Sequence, residues 1–130
     1  MPWKIERDDA FERALKELRK RFPNAERDIL DAFESGHPSR TDPIPAFEKK
    51  LWKGRVGSSD LRRGTSRGFR VIYYWDETFP NLCCLGTFYF KGDCAGVPDA
   101  ELKRLFVSVE ARVRQWIKSK EESSGISEKE

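Results

Sequence analysis

The chain has one histidine, one methionine, three cysteines and no long apolar run in 130 residues. Each shortage excludes something. His37 stands alone beside Pro38, so a mechanism needing two imidazoles is not available, and a solvated loop role is expected for it. Cys83 and Cys84 are adjacent, and Cys94 follows with no CxxC spacing and no histidine nearby. Neighbouring residues of a strand point to opposite faces, so neither a zinc site nor a disulfide framework is expected. GxxxxGK[ST] and GxGxxG are both missing, which removes the usual loops that cradle nucleotide phosphates. Helix-turn-helix and zinc-finger spacings are missing too, so sequence-specific reading of a duplex has little support. No stretch approaches the ~20 apolar residues needed to span a bilayer. The first residues, MPWKIERDDAFERALK, are charged throughout and lack an apolar signal core. A reduced, cytoplasmic, membrane-free protein is expected, with no metal and no cofactor.

What is present supports a single folded domain. Hydrophobic residues make up 38% and charged residues 36%, with four Trp, three Tyr and nine Phe to build a core. Residues 2–6 read as a short strand. From Asp8 the apolar positions Phe11, Ala14, Leu15, Leu18 and Phe22 recur at helical spacing, with Asp8 or Asp9 as cap and Pro23 as stop. Ala25, Ile29, Leu30 and Phe33 mark a second helix, ended by Gly36 and Pro38. Residues 36–47 carry Pro38, Pro43 and Pro45 and read as an irregular loop. The period then changes to two. Residues 51–56, 69–76 and 82–91 read as strands, the last two joined by a hairpin at 77–81. A final helix begins at Pro98 and carries Leu102, Leu105, Phe106, Val109, Val113, Trp116 and Ile117 on one stripe. The expected fold is α+β: a small antiparallel sheet with two N-terminal helices and a C-terminal helix packed on one face, in the order β-α-α-β-β-β-α. The domain is expected to span residues 1–118, with 119–130 a disordered polar tail.

Charge is distributed unevenly. The formal net charge is +3, but residues 49–70 hold eight basic residues against one acidic residue, while the rest of the chain is slightly acidic. Such a cluster is the footprint of a polyanionic partner. Lys53 and Arg55 share one strand face by alternation. Arg62, Arg63 and Arg67 fall in the following turn, and Arg70 opens the next strand. Aromatic residues flank the segment, Tyr89 among them, and exposed bases stack on such rings.

The run from Lys53-Gly54-Arg55-Val56 to Gly68-Phe69-Arg70-Val71-Ile72-Tyr73-Tyr74 resembles the signature stretch of the RelE/ParE toxin superfamily. There a K-x-[RK] strand is followed by G-[FY]-R-[VL]-[IV]-Y, and a later strand ends in a basic residue, here Lys91. The spacing Phe11 to Lys20 also matches, and the resemblance covers residues 3–110. It implies a toxin of a type II toxin–antitoxin system. In the RelE branch this is a ribosome-dependent mRNA endonuclease working by metal-independent 2′-OH attack. The implied catalytic residues are Lys53, Arg55, Arg70 and Lys91, with Lys53 as candidate base. Lys49, Lys50, Arg62, Arg63, Arg67 and Tyr89 are the candidate RNA contacts. The implied partners are a cognate antitoxin protein, the ribosome and mRNA. Many relatives carry a tyrosine shortly after the last strand, where this chain has Gly92-Asp93-Cys94-Ala95-Gly96-Val97. Two alternatives therefore stay open: a ParE-like inhibitor of DNA gyrase, and a catalytically inactive toxin fold that only binds antitoxin or RNA.

Overall fold

The computed structural model describes residues 3–61 and 68–128. The elements are β1 (Lys4–Arg7), α1 (Asp9–Leu18), α2 (Ala25–Ala32), β2 (Thr41–Pro43), β3 (Leu51–Val56), β4 (Phe69–Trp75), β5 (Leu82–Phe90) and α3 (Asp99–Glu128). The strands form one sheet in the order β1-β5-β4-β3-β2. The fold is α+β. No described helix is long and apolar enough to cross a membrane.

Local chemistry sets the helix starts and stops. The Asp8 carboxylate accepts from the Ala10 N–H at 3.1 Å and caps α1, satisfying a backbone donor that has no partner within the helix. Phe11 and Ala14 bury the inner face. The helix stops at Leu18, a turn earlier than its periodicity predicts. Its last carbonyl receives the N–H groups of Arg21 and Phe22, so Phe22 still reaches the core from the turn. Asn24 then leads into α2, bonded through its backbone and side chain to Asp60.

Four features differ from the sequence-based expectation. β1 pairs with β5 in parallel, so the sheet is mixed rather than antiparallel. An added edge strand, β2, lies inside the proline-rich stretch expected as a loop and pairs with β3. Its three residues end at Pro43, in keeping with proline's confinement to sheet edges. The helices cover both faces of the sheet rather than one. Phe11, Phe22, Ile29 and Phe33 pack with Val71, Tyr73 and Leu85, while Leu102, Leu105, Val109 and Val113 pack with Ile72, Tyr74 and Cys84. The reason lies in β4. FRVIYYW has no clean apolar–polar alternation, and six of its seven residues are buried, the pattern of a strand covered on both sides. Finally, α3 continues past residue 118 to Glu128, through most of the stretch expected as a disordered tail.

Cys83 belongs to the core cluster beneath α1 and α2, and Cys84 to the one beneath α3. The β4–β5 register shifts between Ile72 and Tyr73. On the α3 side this leaves three successive rows across β3, β4 and β5. Leu51, Tyr74 and Cys84 form the first, Lys53, Ile72 and Thr87 the second, and Arg55, Arg70 and Tyr89 the third. The face thus passes from apolar to cationic over four residues of strand.

Candidate nucleic-acid interface

The cationic end of this face is built by register. Arg55 stands opposite Arg70, and Arg70 opposite Tyr89. Lys53 shares the face two residues away and stands opposite Asp42 of β2. Residues directly opposite on neighbouring strands have Cβ atoms about 4.5–5.5 Å apart, and like charges so placed destabilise the pair. The arginines nevertheless stand together, and Arg70 is only 6% exposed. Its Nη1 donates to the Phe69 carbonyl at 3.3 Å. Burial, Arg55 and Arg40 all lower the Arg70 pKa, with Tyr89 acting the other way. Arginine stays protonated at working pH. Among the described residues, the ion pairs within 4.0 Å involve none of Arg40, Lys53, Arg55 and Lys91.

Two glycines permit this geometry. A Cβ on Gly68 would lie 2.1 Å from the Val56 carbonyl oxygen, so only glycine lets the start of β4 approach the end of β3. A Cβ on Gly54 would come 2.8 Å from Pro38 and 3.4 Å from the Tyr73 ring. Gly54 therefore admits the segment before β2 onto the sheet.

The expected site residues do not all gather here. Lys53, Arg55, Arg70 and Tyr89 share the α3-side face. Lys91 follows β5, two residues beyond Tyr89, and its backbone N–H donates to the Gly68 carbonyl at 3.0 Å. Lys49 and Lys50 precede β3, about 17–20 Å from Arg55 at the usual rise of a strand. Lys49 is in the left-handed region (φ 59°), and Lys50 pairs with Glu48 at 3.7 Å. Arg62, Arg63 and Arg67 lie outside the described residues. Tyr89 is part-buried, and its phenol pKa is raised, chiefly by burial and then by Cys94, against the pull of Arg70.

Arg40 is the residue that the sequence reading missed. The Arg55 N–H donates to the Arg40 carbonyl at 2.9 Å, and Thr41 pairs with Gly54, so Arg40 extends the cationic row by one strand. Its only signal in sequence was a basic residue just before a Thr-Asp-Pro, in a stretch whose prolines argued against a strand.

His37 is exposed in a loop, as expected, and its ring also makes contacts that the sequence does not announce. Its Nδ1 lies 2.7 Å from the Tyr73 hydroxyl, and its ring packs against Trp75, Trp52 and Trp3 at centroid distances of 4.6, 5.5 and 5.6 Å. Partial burial lowers its pKa.

No known family model matches the chain, and no curated protein does so either. No group of three or more metal-ligating side chains occurs among the described residues. Chemically, the row offers fixed cations, one phenol and one nearby lysine on a rigid sheet. That set can bind a phosphodiester and stabilise charge developing on it.

Proposed function

We propose that the protein is the toxin of a toxin–antitoxin pair, a cytoplasmic endoribonuclease that cuts mRNA on the ribosome. The observation that carries this reading is the row Arg55–Arg70–Tyr89, with Lys53 beside it, on one face of the sheet. Lys53, Arg55 and Arg70, which carry part of the sequence resemblance, share this face. Cleavage by 2′-OH attack forms a 2′-O–P bond and breaks the P–O5′ bond. The proton of the 2′-OH leaves to a base, and the departing 5′-oxygen gains one. The transition state carries extra negative charge on the phosphoryl oxygens, which Arg55 and Arg70 would stabilise without reorganisation. Arginine cannot act as the base; Lys53 is the candidate that the family resemblance implies. The Tyr89 phenol, opposite Arg70 in the register, is a candidate proton donor to the departing oxygen, and Lys91 adds positive charge at the exit of β5.

The test is a translation extract with mapping of mRNA 5′ ends. Codon-phased cleavage that Arg70→Ala abolishes is the expected result. Cleavage unchanged by Arg70→Ala would sink the assignment. Intact mRNA with accumulation of gyrase cleavage complexes would favour the ParE-like reading instead. Salt-sensitive RNA binding without cleavage would identify an inactive relative, for which the lack of a tyrosine in residues 92–97 is the motivation.

A further inference from the structure

We propose, on the nucleic-acid reading above, that Arg40 is a further phosphate-contacting residue and that the segment 37–41 is a strap that positions it. Arg40, the residue immediately before β2, continues the row Arg55–Arg70–Tyr89 by one position. At a strand spacing of about 4.8 Å, three arginine positions then span about 10 Å. That is wider than one phosphate group, so the row fits a polynucleotide backbone better than an isolated phosphate. Arg40 acts electrostatically on Arg70 across the intervening strand. A polyanion laid along the row would meet a positive charge on each of these neighbouring segments.

The strap is fastened on the opposite face at three points. Thr41 Oγ1 donates to the Lys53 carbonyl at 3.2 Å. With that proton committed, the Tyr73 hydroxyl donates to Thr41 Oγ1 at 2.7 Å, and His37 Nδ1–H donates to the Tyr73 oxygen at 2.7 Å. Each hydroxyl then gives one bond and receives one, and the His37 tautomer follows from the chain. Pro38 sits over Gly54 in the space a Cβ would fill. The His37 ring is seated among Trp3, Trp52 and Trp75. Because Thr41 faces this network, strand alternation directs Arg40 to the other side, toward Arg55. His37, Tyr73 and Thr41 are thus positioning residues, and Arg40 is the contact.

The experiment measures binding of the full-length protein to a labelled single-stranded RNA decamer across a salt series. Wild type, Arg40→Ala, Thr41→Val, Gly54→Ala, Arg70→Ala and the Arg40→Ala/Thr41→Val double variant are compared, with thermal melts confirming that each is folded. Each phosphate contact to a single strand contributes about 0.7 to the slope of log K against log salt. Arg40→Ala is expected to lower the slope by about 0.7. Thr41→Val and Gly54→Ala, which leave every charge in place, should lower affinity in the same direction. Thr41→Val should add nothing once Arg40 is gone. If Arg70→Ala weakens binding while Arg40→Ala leaves slope and affinity unchanged, the Arg40 assignment is wrong and the nucleic-acid reading survives. If the wild type shows no salt-dependent RNA binding, the reading itself fails. A Thr41→Val effect of equal size with or without Arg40 would overturn the strap.

Discussion

Replacing Arg55 with methionine should make the protein more stable and a poorer binder of RNA. Arg55 faces Arg70 across the β3–β4 pair and, among the described residues, joins no ion pair within 4.0 Å. Two like unit charges about 6 Å apart repel by about 0.7–1.4 kcal/mol at an effective dielectric of roughly 40–80. Methionine keeps most of the apolar stem, so little packing is lost. The expected net gain is about 1 kcal/mol. It should appear as a higher urea midpoint at unchanged m-value, with Tm raised by about 3–4 °C. Added salt screens part of the repulsion, so the gain should shrink at high ionic strength. In parallel, the salt dependence of RNA binding should weaken by about 0.7 in slope. A loss of more than about 1 kcal/mol with unchanged RNA binding would refute the reasoning, because Arg55 would then be a structural support and not a charge held for a ligand.

Three further predictions concern the core and the α1 cap. Burial pushes the Cys84 thiol up to about 12 from 9.0, holds Cys83 well above its ordinary value, and moves the Tyr74 phenol up to about 12. The folded state therefore keeps these protons after the unfolded chain has released them, so stability should be full below about pH 9 and fall as pH rises from about 9 to about 12, measurable as urea midpoints at pH 8 and pH 10.5. Native protein should react with Ellman's reagent at one thiol, the exposed Cys94, and at all three only when unfolded. Asp8→Ala should cost about 2–3 kcal/mol in chemical denaturation, since Asp8 caps α1 and also accepts from Ser108 Oγ at 2.7 Å; Ser108→Ala should cost only about 1 kcal/mol.

Much of the molecule was legible in its sequence because local rules sufficed. The Asp8 cap, the apolar spacing of α1 and α2, and the limits of β3 follow from period and punctuation. The Lys53/Arg55 face and its meeting with Arg70 follow from alternation and the antiparallel pairing of successive strands. What stayed hidden was non-local. Tyr73 reads as one more aromatic in a strand, yet its hydroxyl joins His37 and Thr41 from a loop and an edge strand. Three of the four tryptophans converge on the one histidine, from β3, β4 and the position just before β1, and no spacing announces it. Arg40 was hidden by its prolines, which signal a loop until an edge strand accepts them. The run FRVIYYW did carry the signal for burial on both faces, but reading it as such needs α3 to be placed across the sheet.

The sheet combines two features on one face. It buries apolar surface under α3 and carries a cationic row further along the same strands, where Arg70 is itself only 6% exposed. Leu51, Tyr74 and Cys84 lie in the row under α3, while Arg55, Arg70 and Tyr89 lie four or five residues further along their strands. The intervening row, with Lys53, Ile72 and Thr87, is the transition. β4 is buried on both sides through most of its length, so it holds Arg70 rigidly while α3 supplies stability at the far end. That arrangement predicts a directional asymmetry. Cavities cut under α3, such as Val109→Ala, should lower stability with little effect on RNA binding in the folded population, whereas changes in the cationic row should do the reverse.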